Sequence, residues 1–366
     1  MKRFFTSRLT RHASRAATCH LLLATGFWLL SACSNSTSNS TSGPNPTQFI
    51  ATRIAEVLTQ NALTDTAPRP TPLVTETPTP GPLSPTPVFS PMPTLGTITP
   101  CADQACATTA EHFWLERPIP AGYVNYADRT YPYGSTLNGQ REPHHGIEFV
   151  NSAGTPVIAA APGTVIVAGN DSTTLYGPTT NFYGNLVVVQ LDQLYNGQTV
   201  LNLYAHLHTV IAAMGQKVKA GDMLGTVGQT GVAIGPHLHF EVRIGQDDYL
   251  SSRNPELWLK PLIYNGKPWG TIAGRVIDTE GKPVNGYTVV IQPVSVDYDD
   301  PRTKYVSTYA RETLNGDEAL QENFAIGDMP LGTYLVSVNT TTLYQQTIAV
   351  TAGHLAWVTF VVNAPQ

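Results

Sequence analysis

Short runs of β-branched and aliphatic residues, separated by glycine, proline and asparagine, fill the chain from about residue 123 to residue 261. Runs of this kind between turn residues predict short strands. The clearest lie at residues 156–159, 164–167, 186–189 and 200–204. Because no long helical period competes with them, this region is predicted to be an all-β domain.

A second β-rich unit is predicted from residue 269 to residue 366. Its strand candidates are residues 272–277, 287–291, 334–338, 347–350 and 357–362. Short strands at this density favour a small β-sandwich. The predicted fold class is therefore all-β, an antiparallel β-sheet domain at residues 101–268 followed by a sandwich.

The chain before residue 101 has a different composition, rich in serine, threonine, asparagine and proline. Eleven of the 29 prolines in the whole chain fall between residues 68 and 100. Such a segment buries too little apolar surface to fold, so residues 33–100 are predicted to form a disordered, extended stalk. One stretch with helical spacing, residues 48–62, is expected to fray.

The N-terminus has the pattern of a secretory signal. Five basic residues and no acidic ones precede or flank a short apolar run within residues 1–32. The sequence Leu30-Ser31-Ala32-Cys33 resembles the lipobox of bacterial lipoproteins. The resemblance implies cleavage before Cys33, lipid attachment there, and an extracytoplasmic protein anchored to the bacterial membrane or envelope. The alternative is an ordinary signal peptide.

The net charge bears on the class of partner, and the compartment bears on the state of Cys101 and Cys106. Removing the signal would take the formal net charge from −5 to −10. An acidic chain of this kind does not predict nucleic acid as a partner. Outside the cytoplasm, Cys101 and Cys106 are expected to form a local disulfide; a zinc site there is the weaker interpretation.

Histidines in the first β domain form three clusters. They are His144-His145-Gly146-Ile147-Glu148, Tyr204-Ala205-His206-Leu207 and Gly235-Pro236-His237-Leu238-His239-Phe240-Glu241-Val242. Imidazole and carboxylate are the expected protein ligands of zinc. Three such clusters in one domain therefore favour a metal site over isolated structural histidines.

Strand geometry limits which of these residues can meet. His237 and His239 would point to the same face of a strand, with Cα atoms about 6.7 Å apart. His144 and Glu148 would lie about 13 Å apart on a straight strand, so Gly146 is expected to supply a bend. His145 is expected beside the site or exposed. His112, His208 and His354 are expected to be ordinary structural or surface residues.

The order of these motifs resembles that of the lysostaphin/LytM-type zinc endopeptidases, over about residues 131–244. The resemblance implies a sheet groove of the duplicated hybrid motif type that hydrolyses peptide crosslinks of peptidoglycan with a metal-activated water. It implies one Zn²⁺ per chain, held by His144, Glu148 and His239. It further implies that His206 and His237 act on the water and transition state, and that Tyr131 stabilises the oxyanion; aromatic packing is the alternative for Tyr131.

One of the three implied ligands departs from the family's pattern. The family has aspartate where this chain has Glu148, so a non-catalytic wall-binding or amidase-activating lipoprotein with a degenerate metal site is the alternative. Retention of all the motif histidines favours activity.

The C-terminal unit resembles transthyretin-like, carboxypeptidase-regulatory-like sandwiches, which implies a spacer or a module for a protein or glycan partner.

Overall fold

The structure is a computed structural model that describes residues 107–108, 113–299, 301–311 and 313–363. The predicted signal, lipid attachment at Cys33, the stalk and the Cys101–Cys106 pair lie outside the described residues, as does His112. Within the described residues, none of the helices is long and apolar enough to span a bilayer. Strands are the main regular structure of the described residues and helices account for only 2%, so the predicted all-β class is confirmed.

The part of the chain that the structure describes contains twenty strands. The first thirteen are β1 (Ala107–Thr108), β2 (Ile147–Val150), β3 (Pro156–Ile158), β4 (Gly163–Asn170), β5 (Asn185–Tyr195), β6 (Gln198–Ala205), β7 (Leu207–Val210), β8 (Lys217–Val218), β9 (Met223–Val227), β10 (His237–Ile244), β11 (Ser252–Arg253), β12 (Ile263–Tyr264) and β13 (Lys267–Pro268). The rest are β14 (Gly270–Ile277), β15 (Thr288–Val296), β16 (Lys304–Ser307), β17 (Phe324–Met329), β18 (Gly332–Asn339), β19 (Leu343–Val350) and β20 (Leu355–Val361).

Each strand predicted from the apolar runs is present. Most extend further than predicted, because cross-strand pairing carries the ladder into polar residues that local propensity does not mark. β5 is the clearest case, since it continues from the predicted residues 186–189 to Tyr195. Strands β7, β8 and β9 were not predicted.

The first β unit is organised around a seven-stranded antiparallel sheet in the order β11-β10-β6-β5-β4-β8, with β2 paired to the first half of β10. A three-stranded sheet, β3-β9-β7, accompanies it. Val157 and Leu224 from the small sheet belong to the same buried cluster as Val189 and Phe240 from the large one. One core therefore holds both sheets together.

The second unit is a pair of four-stranded sheets, β1-β20-β14-β17 and β16-β15-β18-β19. Ile272 and Val358 from one sheet share a buried cluster with Ile291 and Val336 from the other. β14 and β20 run parallel, whereas their other neighbours are antiparallel. The edge strand β1 comes from before the first unit, so the chain enters the second unit's sheet twice.

The two units are joined by a buried contact made by residues 309–323, which we call the docking loop. Its Tyr309 ring lies edge-on to Tyr133, with ring centroids 5.0 Å apart. The backbone nitrogen of Ala310 donates to the carbonyl of Gly134 at 3.0 Å. Tyr309, Leu314 and Leu320 belong to the core cluster of the first unit. The sandwich is therefore fixed to the first unit by packed side chains.

Polar groups inside this contact are matched across the boundary. Asn254 donates through its side-chain nitrogen to the Tyr309 hydroxyl at 3.3 Å, and that hydroxyl donates to Glu322 at 2.9 Å. The Tyr195 hydroxyl donates to Asp317 at 2.9 Å, and the Asp317 backbone nitrogen donates to Glu322 at 2.8 Å. Burial, followed by the nearby Asp317 carboxylate, raises the pKa of Glu322 to about 8.

This shift predicts a pH-dependent stability. The folded chain keeps a Glu322 proton that an ordinary carboxyl with a pKa of 4.5 loses. The stability that this bound proton contributes is fully present below pH 4.5. It is lost as the pH rises from 4.5 towards 8, by at most about 1.4 kcal/mol per pH unit. Glu322→Gln should remove this part of the slope in urea unfolding between pH 5 and pH 8. Glu280→Gln, at an exposed site, should keep it; equal slopes in both variants would contradict the assignment.

The close approach at Gly134 gives a second prediction. Gly134 has a φ of +80°, and a Cβ there would lie 2.5 Å from the Tyr309 ring. Gly122 has a φ of +95° and nothing within 4 Å, so Gly122→Ala carries backbone strain without the clash. Gly134→Ala should destabilise the chain by about 1–3 kcal/mol more than Gly122→Ala in denaturant unfolding, because the docking loop must shift. Equal losses would mean that the loop yields freely.

Candidate metal centre

The centre is built on β10, whose eight residues are all buried. Side chains alternate between the faces of a strand, so Leu238, Phe240 and Val242 enter the core while the residues between them share the opposite face. That face presents, in order, His237, His239, Glu241 and Arg243. β2 pairs with residues 237–240 of β10 and β6 pairs with residues 239–244, and the two neighbours bring further polar residues to it.

The three predicted metal ligands meet on this face. His239 lies directly opposite Glu148 in the β2–β10 register, and His144 comes just before β2. Nε2 of His144 lies 3.1 Å from Nδ1 of His239 and 3.5 Å from Oε1 of Glu148. One ligand atom from each residue lies within 4.8 Å of the others.

Hydrogen bonds orient the two imidazoles so that lone pairs face each other. Nδ1 of His144 lies 2.6 Å from the carbonyl of Tyr131, which only accepts, so Nδ1 carries the proton and Nε2 does not. His239 uses Nε2 to donate to Glu241 at 3.0 Å, which leaves Nδ1 unprotonated. Burial, followed by the neighbouring His239, lowers the pKa of His144 well below its ordinary value. Two lone pairs and a carboxylate oxygen therefore converge on one space, and this donor set fits zinc.

Glutamate in place of aspartate reaches the cluster. Its second oxygen, Oε2, lies 3.5 Å from Nε2 of His237, so the carboxylate lies between two imidazoles. Gly146 was expected to supply a bend through backbone angles that other residues avoid, and this explanation is wrong. Its φ is outside the left-handed region, and glycine is needed because a Cβ would lie 2.7 Å from Nε2 of His239 and 2.5 Å from the carbonyl of Phe240.

His206 and His237 lie together beside the three ligands, with ring centroids 4.8 Å apart. His206 follows β6 in the left-handed region, with a φ of +60°. Its Nδ1 lies 2.8 Å from the carbonyl of Thr230, and Nδ1 of His237 lies 2.9 Å from that of Gly235. Both rings therefore keep Nε2 unprotonated. Within the described residues, Nε2 of His237 is buried without a hydrogen bond.

Tyr131 contacts the centre through its ring and its backbone carbonyl. Its ring stacks on His144 at 4.1 Å with the planes 11° apart, and its carbonyl accepts from that imidazole. Its hydroxyl donates to the carbonyl of Glu142. The ring and carbonyl of Tyr131 thus hold His144, while its hydroxyl is engaged outside the cluster.

The other three histidines among the described residues lie outside the cluster. His145 is buried, stacks on Tyr249 at 3.7 Å and lies 2.9 Å from the Ser252 hydroxyl, so it occupies the layer next to the centre. Burial lowers the pKa of His145 to about 4. His208 is exposed and His354 is partly exposed.

A buried chain of polar residues behind His239 was missed by the sequence analysis. Glu241 accepts from Tyr183 and His239 on one oxygen and from Nε of Arg243 at 2.8 Å on the other. Arg243 continues to Asp247 at 2.8 Å. Burial alone would raise the pKa of Glu241, but Arg243 and the bond from His239 outweigh it and hold that pKa far below its ordinary value. An ionised carboxylate behind a metal-binding imidazole fixes its tautomer and orientation. The alternation of His, His, Glu and Arg at residues 237–243 was the available signal.

The comparisons with known proteins agree with this geometry. Residues 142–251 match the model of peptidase family M23. This range of the chain is therefore similar to M23 peptidase domains. The matched range contains the three ligands together with His206 and His237, whereas Tyr131 lies before it.

Two curated relatives and one solved structure illustrate the likeness. The chain is 36% identical over 100 residues to peptidoglycan DD-endopeptidase ShyA of Vibrio cholerae, covering 27% of this chain and 20% of that protein. It is 31% identical over 169 residues to lysostaphin of Staphylococcus simulans, covering 45% and 30%. The crystallised catalytic domain of lysostaphin from Staphylococcus simulans is 28% identical, with 36% of this chain and 86% of that one covered and a TM-score of 0.28. The chain thus spans less than a third of either curated relative.

The chain behind His239 predicts a change in metal affinity. Glu241→Gln removes the negative charge that fixes His239, so zinc should bind about 10–100-fold more weakly in a chelator competition. Asp247→Asn is the matched control, because it removes an acid from the same chain without touching His239. It should change the affinity much less. Equal affinities in the wild type and Glu241→Gln, with the fold intact by circular dichroism, would show that Glu241 has no such role.

Proposed function

We propose that the chain is a zinc-dependent endopeptidase that hydrolyses peptide crosslinks of bacterial peptidoglycan. The observation that carries this is the convergence of two imidazole lone pairs and a carboxylate oxygen within an M23 domain, beside two further unprotonated imidazole nitrogens. The printed names of relatives support the substrate class, since ShyA is a peptidoglycan DD-endopeptidase.

One zinc per chain would be held by Nε2 of His144, the Glu148 carboxylate and Nδ1 of His239. When bound, zinc supplies a Lewis acid that polarises a carbonyl and makes water nucleophilic near neutral pH. The protein's own contribution is to bring these three donors together and to leave a lone pair on the facing nitrogen of each imidazole. Tyr131 does this for His144, and Glu241 does it for His239.

His206 and His237 would move the proton. Each offers Nε2 as a base, because a backbone carbonyl holds the proton on Nδ1. One of them takes a proton from the attacking water and returns it to the leaving amine, as a general base and then a general acid. The resulting imidazolium also stabilises negative charge on the carbonyl oxygen. The stacked position of Tyr131 supports a role in holding His144 in place of the predicted oxyanion role.

The cellular setting belongs to the same proposal. The secretory pattern and the lipobox resemblance at Cys33 support an extracytoplasmic chain that is lipid-anchored to the cell membrane or envelope. Peptidoglycan lies outside the cytoplasm, and the printed name of the relative ShyA is that of a peptidoglycan endopeptidase. The Cys101–Cys106 disulfide remains a prediction in that compartment.

A non-catalytic wall-binding or amidase-activating role is the alternative. It would require a metal site that has lost donors. Here Glu148 reaches the cluster and each motif histidine is in place, so the geometry favours catalysis.

Separate histidine variants test the two roles. His239→Ala should lose stoichiometric zinc by elemental analysis, because a ligand is gone. His237→Ala should retain zinc but release new amino groups from purified peptidoglycan about 10²–10⁴-fold more slowly, because a general acid–base group is gone. His208→Ala, at an exposed histidine outside the cluster, should match the wild type. A wild type that binds zinc and wall but releases no amino groups would favour the activator instead.

A further inference from the structure

Val150, the last residue of β2, exposes an apolar side chain on the face of the sheet that carries the metal centre. Accessible and buried positions alternate along this strand, and Ile147 and Phe149 belong to the core. Glu148 and Val150 therefore share the opposite face, on which Glu148 meets the other ligands. Val150 is 49% exposed there. It is thus an accessible apolar surface beside the cluster.

Strand register places Val150 directly opposite His237. The carbonyl of Glu148 accepts from the backbone nitrogen of Asp128 at 2.7 Å, on the side of β2 away from β10. The Glu148–His239 pair, and the Val150–His237 pair two residues along, are therefore pairs without backbone hydrogen bonds between them. Side chains come closest in pairs of this kind, with Cβ atoms about 4.5–5.5 Å apart. Val150 consequently borders an imidazole that is proposed to act on the reacting bond.

Hydrogen bonds fix the backbone around both members of this pair. Next to Val150, the side chain of Asn151 accepts from the backbone nitrogen of Val124 at 3.0 Å and donates to its carbonyl at 2.8 Å. Nδ1 of His237 lies 2.9 Å from the carbonyl of Gly235. The position of the apolar surface relative to the imidazole is therefore set by the fold.

This surface bears on which peptide bond is cut. An amide within hydrogen-bonding reach of His237 brings the α-carbon of its acyl residue towards Val150, because that carbon is one bond from the carbonyl carbon. In a crosslink formed through D-alanine, the α-carbon carries a methyl group, whereas within a glycine bridge it carries only hydrogen. Burying one such group against an apolar side chain changes an equilibrium constant about fourfold.

We propose that Val150 is a specificity-determining residue that packs against the methyl group of the alanine whose carbonyl is attacked. The chain then prefers D-alanyl crosslinks to bonds within glycine bridges. This rests on the proposed function and deepens it by naming the bond. Single exposed apolar residues are common on protein surfaces, and the register with His237 is what sets Val150 apart.

Two soluble crosslinked stem-peptide dimers test the assignment. One has D-alanine as the acyl residue of the crosslink and the other has glycine there, with every other residue identical. The full chain in detergent, loaded with zinc, should cut the D-alanyl dimer with a kcat/KM about three- to tenfold higher, measured by amine release. Val150→Ala should lose most of this preference by slowing the D-alanyl dimer alone. Val150→Ile should keep it, because the apolar surface remains.

Val361→Ala is the matched control. Val361 is 53% exposed on β20 of the sandwich, so the same substitution at similar exposure should leave both rates unchanged. Zinc content by elemental analysis should be equal in the wild type and all three variants. A purely structural effect on the metal ligands would instead lower zinc content and slow both dimers together.

Three outcomes separate this assignment from the proposed function. Absence of any preference in the wild type, in cutting or in calorimetric binding, or an equal preference in Val150→Ala, would overturn it. Faster cutting of the glycyl dimer by the wild type, reversed in Val150→Ala, would also overturn it, since Val150 would then exclude the methyl group. Tighter binding of the D-alanyl dimer that depends on Val150, without cutting of either dimer, would refute the proposed function and leave this assignment standing.

Discussion

The structure depends on a buried polar face along β10. A strand gives alternate side chains to opposite faces, so the run that fills the core with Leu238, Phe240 and Val242 also buries His239 and Glu241. A buried polar group is costly unless it is hydrogen-bonded or bound to an ion. Along this face the cost is met by the Tyr183–Glu241–Arg243 network at one end. At the other end two imidazole lone pairs and a carboxylate oxygen converge, a set of groups that could hold a metal ion.

The same constraint explains the surroundings of the centre. His144 and His206 lie outside the strands, where the sheet ladder does not fix the backbone. Each imidazole is held instead by a hydrogen bond from Nδ1 to a backbone carbonyl. Because Gly146 has no Cβ, its backbone can lie in close contact with the His239 ring. Precision at the donors therefore comes from backbone acceptors and close packing, which a longer ligand such as Glu148 can exploit because its carboxylate still lands between the imidazoles.

The sandwich takes part in the first unit's core, although its sequence suggested a spacer or a binding module. Its docking loop packs Tyr309 against Tyr133 and closes a polar cluster between Tyr195 and Glu322. The contacts of Tyr309 with Tyr133 and of Tyr195 with Asp317 join residues more than a hundred positions apart. Local patterns of propensity or charge carry no information on such pairs, so this buried contact could not have been foreseen from the sequence.

The sequence by itself determined the all-β class, the core strands and the five motif residues of the cluster, because alternation and turn residues act over a few neighbours and the motif spacing is local. The tertiary structure decided the rest. It gave Gly146 its packing role, engaged the Tyr131 hydroxyl with Glu142, and placed Glu241 behind His239. Each of these follows from strand register and from which nitrogen of each ring is hydrogen-bonded. Register is set by the burial of both faces of β10 at once, and that is a property of the whole sheet.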